Sequence, residues 1–154
     1  MAQNLLHNVY LFRSMAGPEL EAITSAGESQ TYAPGDSIFL KGEKATAMYL
    51  IKLGSVNIQQ SGKSGDNILV ATLATGSHFG EMAFVDNETR SATAVAAERC
   101  ELFVLSYEKL NAVLLKQPAM AVKFYSELAH FLCGRLRVTT SDLSYAREKN
   151  LSHF

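Results

Sequence analysis

Apolar and polar positions change their period twice along this chain of 154 residues, and the changes divide it into three stretches. Segments 5–12 and 18–26 carry apolar residues at helical spacing. Pro18 suits a first helical turn, Glu19 and Glu21 favour the positive helix end, and Gly27 suits the stop. Beyond Gly27, short runs rich in Val, Ile, Thr, Phe and Tyr predict strands at 29–33, 37–40, 48–53, 55–60, 68–73, 92–96 and 102–105. Gly35, Gly42, Gly54 and Gly76 punctuate them, and the polar tract 61–67 reads as a hairpin loop. Closely spaced strands with glycine turns predict an antiparallel β-roll or jelly-roll of about eight strands. From Tyr107 the helical period returns, and Pro118 breaks a first helix near Lys116 and opens a longer one. The expected architecture is α+β in a single domain over 1–154: N-terminal helices (1–27), a roll (28–106) and a C-terminal helical pair (107–154).

The last helix carries a seam. Ala129, Leu132, Leu136, Thr139, Leu143 and Ala146 recur at alternating spacings of three and four, a heptad stripe. Packing on its own chain accounts for part of it; a seam continuing past a compact domain predicts a partner helix and a two-fold dimer. With 47% hydrophobic and 19% charged residues the composition is that of a soluble globular domain. A net charge of −1 argues against a nucleic acid held on a broad basic surface. No apolar run spans a bilayer, and the N-terminus lacks a secretory leader, so a cytoplasmic location and no membrane partner are expected. Cys100 and Cys133 sit in apolar surroundings and read as two reduced, buried thiols.

Candidate chemistry concentrates in residues 79–93, Phe-Gly-Glu-Met-Ala-Phe-Val-Asp-Asn-Glu-Thr-Arg-Ser-Ala-Thr. Gly80 lets backbone approach a ligand closely. Glu81, acceptor-only when ionised, suits vicinal hydroxyls. A single helical turn from Met82 to Asp86 would point free N–H groups at an anion. Arg90 supplies a permanent charge with forked donors, and Ser91 a short hydroxyl. Together these suit a ligand with hydroxyls and one negative charge. Two or three charge-assisted bonds, about 1.5–3 kcal/mol each, plus burial of an apolar ring reach micromolar affinity. The plainer alternative is a surface ion pair between Glu81 and Arg90, of little energy.

The stretch resembles the phosphate-binding cassette of cyclic nucleotide-binding domains, F-G-E-[LM]-A followed by R-[STA]-A, from Phe79 through Ala83 and from Arg90 through Ala92. The resemblance implies that Gly80 and Glu81 meet the ribose, that the Ala83 amide and Arg90 meet the phosphate, and that Ser91 assists. It implies also that Met82 moves against the following helices on binding. Residues 32–39 with Lys41-Gly42-Glu43, and the stretch 49–56, resemble the family's early strands, so the likeness covers about residues 5–145. Leu136-Arg137-Val138-Thr139-Thr140 resembles the dimerisation helix of bacterial catabolite-activator proteins. There the two hydroxyl residues contact the adenine amino group, one from each subunit. Thr139 and Thr140 are thereby implied to cap the base, which favours cyclic AMP. Ser91 leaves cyclic GMP open, since a hydroxyl after the arginine meets guanine in eukaryotic relatives. Ile58, Val70 and Leu73 are expected to give apolar contacts to base and sugar. No cofactor is expected beyond this regulatory ligand.

The output is less legible. Relatives that bind DNA continue into a winged helix-turn-helix, yet only 14 residues (154 − 140) follow Thr140. Two more helices of about 11–12 residues do not fit there. A stand-alone sensor acting on an unknown effector protein is expected, without direct nucleic-acid binding. The rivals are a fragment of a DNA-binding regulator and a degenerate domain that keeps the roll and binds no ligand. An enzyme is not expected. Gly62-Lys63-Ser64 lacks the glycine five positions earlier, where Asn57 stands. His7, His78, His130 and His153 are too scattered for a metal centre, and neither cysteine has an activating neighbour.

Overall fold

The computed structural model describes residues 6–151, with side chains to 149. A 3-10 turn at Tyr10–Phe12 precedes helix α1 (Gly17–Ala26). Eight strands follow: β1 (Gly27–Tyr32), β2 (Ser37–Phe39), β3 (Ala47–Leu53), β4 (Val56–Ser61), β5 (Asn67–Leu73), β6 (His78–Phe79), β7 (Thr93–Ala96) and β8 (Cys100–Ser106). The short helix α2 (Met82–Asp86) lies between β6 and β7, and helices α3 (Tyr107–Lys116) and α4 (Pro118–Leu151) close the chain. The strands form two antiparallel four-stranded sheets, in the orders β1-β8-β3-β6 and β2-β7-β4-β5.

Two apolar clusters flank the first sheet, and its central strands alternate between them. Met48 and Leu50 of β3, with Phe103 and Leu105 of β8, face the helices and pack on Phe12, Ile23, Leu110 and Phe124. Tyr49 and Ile51, with Leu102, face the other sheet and pack on Val56, Phe79 and Ala94. A strand buried on both faces reads as a continuous apolar run, which explains why β3 is the most hydrophobic segment of the roll. Gly54, at φ +104°, turns β3 into β4 where a Cβ would lie 2.6 Å from the Arg99 carbonyl oxygen.

Helix ends follow the sequence signals. The Glu19 carboxylate accepts from the Ala16 N–H at 2.8 Å, half of a capping box, since Ala16 has no acceptor of its own. Ser106 caps α3 by accepting from the Lys109 N–H at 3.2 Å. Gln117, the residue before Pro118, leaves the helical region at φ −133° and ψ 80°, separating α3 from α4. Lys123 Nζ meets Glu19 at 2.6 Å and ties α4 to α1.

Several expectations need correction. The predicted helix at 5–12 is not continuous: Leu6 and His7 are helical, Asn8 and Val9 are not, and the 3-10 turn follows; Leu5, like His153, lies outside the described residues. Strand β6 has no sequence signature, because two residues are too few for alternation to show. Cys100 is buried but Cys133 is exposed on α4; both thiols are free. The 34-residue α4, about 50 Å long, packs on the core only through its first half. From Cys133 to Lys149 every residue is exposed, including Leu136 and Leu143 of the apolar stripe. No helix among the described residues is long and apolar enough to cross a membrane.

Candidate functional site

Strand β6 pairs with β3 through His78 and Phe79 and delivers the chain to Gly80. Gly80 has φ +79°, and a Cβ there would meet Arg90 Nη1 at 2.9 Å and the Ala47 carbonyl oxygen at 3.4 Å. Glycine is thus required twice, by the backbone and by the closeness of the arginine. Glu81 then caps α2, whose single turn ends at Asn87 in the left-handed region, with its N–H on the Ala83 carbonyl at 3.0 Å. A helix this short carries little dipole, so the positive character of this part of the site comes from the Arg90 side chain.

The backbone of Arg90 is pinned on both sides. Its N–H donates to the Glu43 carbonyl at 2.8 Å, and its carbonyl accepts from the Gly42 N–H at 2.8 Å. The side chain runs inward and is 6% exposed. Nη2 donates to the Ala47 carbonyl at 2.6 Å, while Nη1 donates to the Gly80 carbonyl at 3.1 Å and the Tyr107 hydroxyl at 3.2 Å. The Tyr107 hydroxyl in turn donates to Gly80. The Phe39 ring covers the guanidinium at 4.0 Å. Burial raises the phenols of Tyr107 and Tyr49 above their ordinary range, and the nearby Arg90 charge partly opposes it.

Arg90 is therefore a buried cation held by neutral oxygens and ring faces. Among the described residues no carboxylate lies within ion-pair distance of it, and its Nε–H has no partner. The Glu81–Arg90 ion pair that the sequence left open is not formed: the Glu81 carboxylate lies instead 3.5 Å from His78 Nδ1. The two charged groups instead stand separately in the wall of a cavity of about 420 Å³. That volume lies in the ordinary range of small-molecule sites, about 300–1,000 Å³. The cavity opens between the second sheet, the 79–92 segment and α4. Chemically, it offers an uncompensated guanidinium at one place, an acceptor carboxylate at another, and apolar walls between them.

Residues 29–117 match the family of cyclic nucleotide-binding domains. The chain belongs to this family. It is 34% identical to the cyclic AMP receptor protein of Thermus thermophilus over 133 residues, covering 86% of this chain and 60% of that protein. It is 32% identical over 119 residues to cyclic GMP-binding protein C of Dictyostelium discoideum, covering 77% of this chain and 4% of that protein. The crystal structure of the Thermus thermophilus catabolite activator protein superposes with a TM-score of 0.77 at 33% identity, over 88% of this chain and 62% of that one. The chain thus spans less than two thirds of these relatives' length. It is a cyclic nucleotide-binding domain with the two-sheet roll and long C-terminal helix that the sequence predicted.

Within this cyclic nucleotide-binding domain the fold gathers most of the expected residues. Phe79, Gly80, Glu81, Met82, Ala83, Arg90, Ser91 and Ala92 all line the cavity, as do Ile58, Val70 and Leu73 from the second sheet and Thr139 from α4. Phe79 is buried and stacks on Tyr49 with ring centroids 5.1 Å apart. Met82 and Val70 stand at the mouth, each more than half exposed. Thr140 is the exception. It does not line the cavity, because one residue along a helix turns the side chain by about 100°.

Sequence reasoning missed Phe39, His78, Tyr107, Phe131 and Arg135, which complete the pocket or its support. Arg135 was legible: it stands four residues before Thr139, so the two share a helix face. Phe39 and Tyr107 carry no local signal, since long-range packing alone brings them to Arg90.

Proposed function

We propose that this domain is a sensor for a cyclic nucleotide, with cyclic AMP favoured over cyclic GMP, and that ligand binding repacks α4 over the cavity. The observation that carries this is Arg90, a buried guanidinium that lines a ligand-sized cavity and has no carboxylate partner among the described residues. A cyclic phosphate supplies the missing negative charge, and Glu81 accepts from the ribose hydroxyl on the far side of the same ligand. Ala83, in the first turn after Glu81, offers its amide to the phosphate.

Thr139 supports the adenine reading, as the hydroxyl that α4 presents to the cavity. Thr140 faces away, which suits a role in the partner's site of a two-fold dimer formed along the exposed stripe of Leu136 and Leu143. The Thermus relative, named for cyclic AMP, points the same way. A cyclic GMP reading keeps one observation in its favour, Ser91 at the cavity wall beside Arg90. In either case the charged ligand draws the cassette around Arg90, Met82 leaves its exposed position, and α4 shifts. That is a population shift driven by contacts made in only one of two states. The output is transmission to an effector protein in the cytoplasm, without catalysis.

The test is calorimetric titration of the purified protein with cyclic AMP and then cyclic GMP, with oligomeric state measured by ultracentrifugation. Micromolar or tighter cyclic AMP binding at one site per chain, on a dimer, is the expected result. Tighter cyclic GMP binding would remove the base-capping role of Thr139 and Thr140. No heat and no thermal shift with either nucleotide would refute ligand sensing and leave a protein-interaction domain.

A further inference from the structure

Among the described residues, His78 joins Glu81 and Arg90 as a buried polar side chain in the cavity lining. Its side chain is 3% exposed, and neither ring nitrogen has a hydrogen-bond partner among the described residues. Buried polar groups left unpaired are costly and rare in native proteins, so an imidazole here wants an explanation that a leucine or phenylalanine would not. Two contacts supply it. Nδ1 lies 3.5 Å from Glu81 Oε1, too far for a good hydrogen bond but one small side-chain rotation from it. On its other side the ring packs against Phe131 of α4, with centroids 4.4 Å apart at 55°.

We propose that His78 is a positioning residue for Glu81: on nucleotide binding its Nδ1–H donates to one carboxylate oxygen and aims the other at the ribose hydroxyl. The inference rests on the cyclic-nucleotide reading of the site. A neutral imidazole can carry its proton on Nδ1, and a carboxylate has acceptor capacity for both a histidine and a hydroxyl. Without such a donor, Glu81 enters a mostly apolar wall with nothing to fix its rotamer. Phe131 gives the arrangement a second consequence. The position of α4 sets the position of the His78 ring, and the ring sets the carboxylate. Closure of the long helix and readiness of the ribose contact are thereby linked through one side chain.

Two substitutions separate the two roles. His78→Phe keeps an aromatic ring against Phe131 and removes the donor; His78→Asn keeps an N–H donor near the Nδ1 position and removes the ring. Each variant, and the wild type, is titrated with cyclic AMP and with 2′-deoxy cyclic AMP, and thermal melting confirms folding. The wild type should bind cyclic AMP more tightly than the deoxy analogue. In His78→Phe, cyclic AMP should bind roughly tenfold to a hundredfold more weakly, the range expected for a hydrogen bond to a charged group. The deoxy analogue should bind nearly as before, so that discrimination collapses. His78→Asn should retain much of the discrimination. A folded His78→Phe that still prefers cyclic AMP by the wild-type factor would overturn the positioning role alone. A wild type that binds neither nucleotide would overturn the functional reading beneath it, and the positioning role with it.

Discussion

Replacing Arg90 by alanine separates binding from stability, because the guanidinium serves a ligand more than it serves the fold. On the stability side the losses are few. The Ala47 carbonyl loses its donor, while the Gly80 carbonyl keeps the Tyr107 hydroxyl. Against this stands relief: a cation 6% exposed, with no carboxylate partner among the described residues, no longer has to be desolvated. The opposing terms, each about 1–3 kcal/mol, should nearly cancel. For a domain of this size the melting temperature should then move by no more than about 4 °C. On the binding side nothing compensates. Among the described residues no carboxylate shares the Arg90 charge, and the attraction of that charge for a phosphate is lost entirely. Truncating one partner of a buried charge pair costs about 2–5 kcal/mol. That is a loss of roughly thirtyfold to several thousandfold in affinity. Paired calorimetric titration and differential scanning calorimetry read both numbers. A folded Arg90→Ala that binds cyclic AMP within about threefold of wild type would refute the assignment of the anion site.

Three further outcomes follow from the geometry. Gly80→Ala places a Cβ 2.9 Å from Arg90 Nη1 on a backbone at φ +79°; it should lower stability by about 1–2 kcal/mol in denaturant titration and weaken binding as well. Leu143→Glu, in the exposed half of α4 and clear of the cavity, should convert a dimer to a monomer in sedimentation velocity; an unchanged dimer would place the interface elsewhere. The Glu19 carboxyl is held below its ordinary value of 4.5, first by the Ala16 N–H and then by Lys123. Its folded value being depressed, it contributes stability above that ordinary value, lost as pH falls through the lower folded one. Glu19→Gln should therefore flatten the acid limb of stability between these two values, and an unchanged pH profile would refute the coupling of α1 to α4 through this pair.

The sequence by itself determined the elements with strong local causes. Pro118 forbids continuation of α3, glycines occupy turns of positive φ, and the two-period pattern separates roll from helices. The cassette was legible for the same reason: Gly80, Glu81, Arg90 and Ser91 lie within twelve residues of one another, so their chemistry could be read without knowing any long-range contact. Tertiary structure alone decided what holds Arg90. Ala47 is 43 residues away, Tyr107 is 17, and Phe39 comes from another sheet strand. No period or motif encodes such contacts, because they arise when β3, β6 and the start of α3 are brought together by burying the faces of β3 and β8. The same holds for β6, whose two residues are made a strand by their partner and not by their own propensity. His78 shows the difference most plainly. In sequence it is an isolated histidine without a ligand partner; only folding packs it between Glu81 and Phe131 as a buried imidazole.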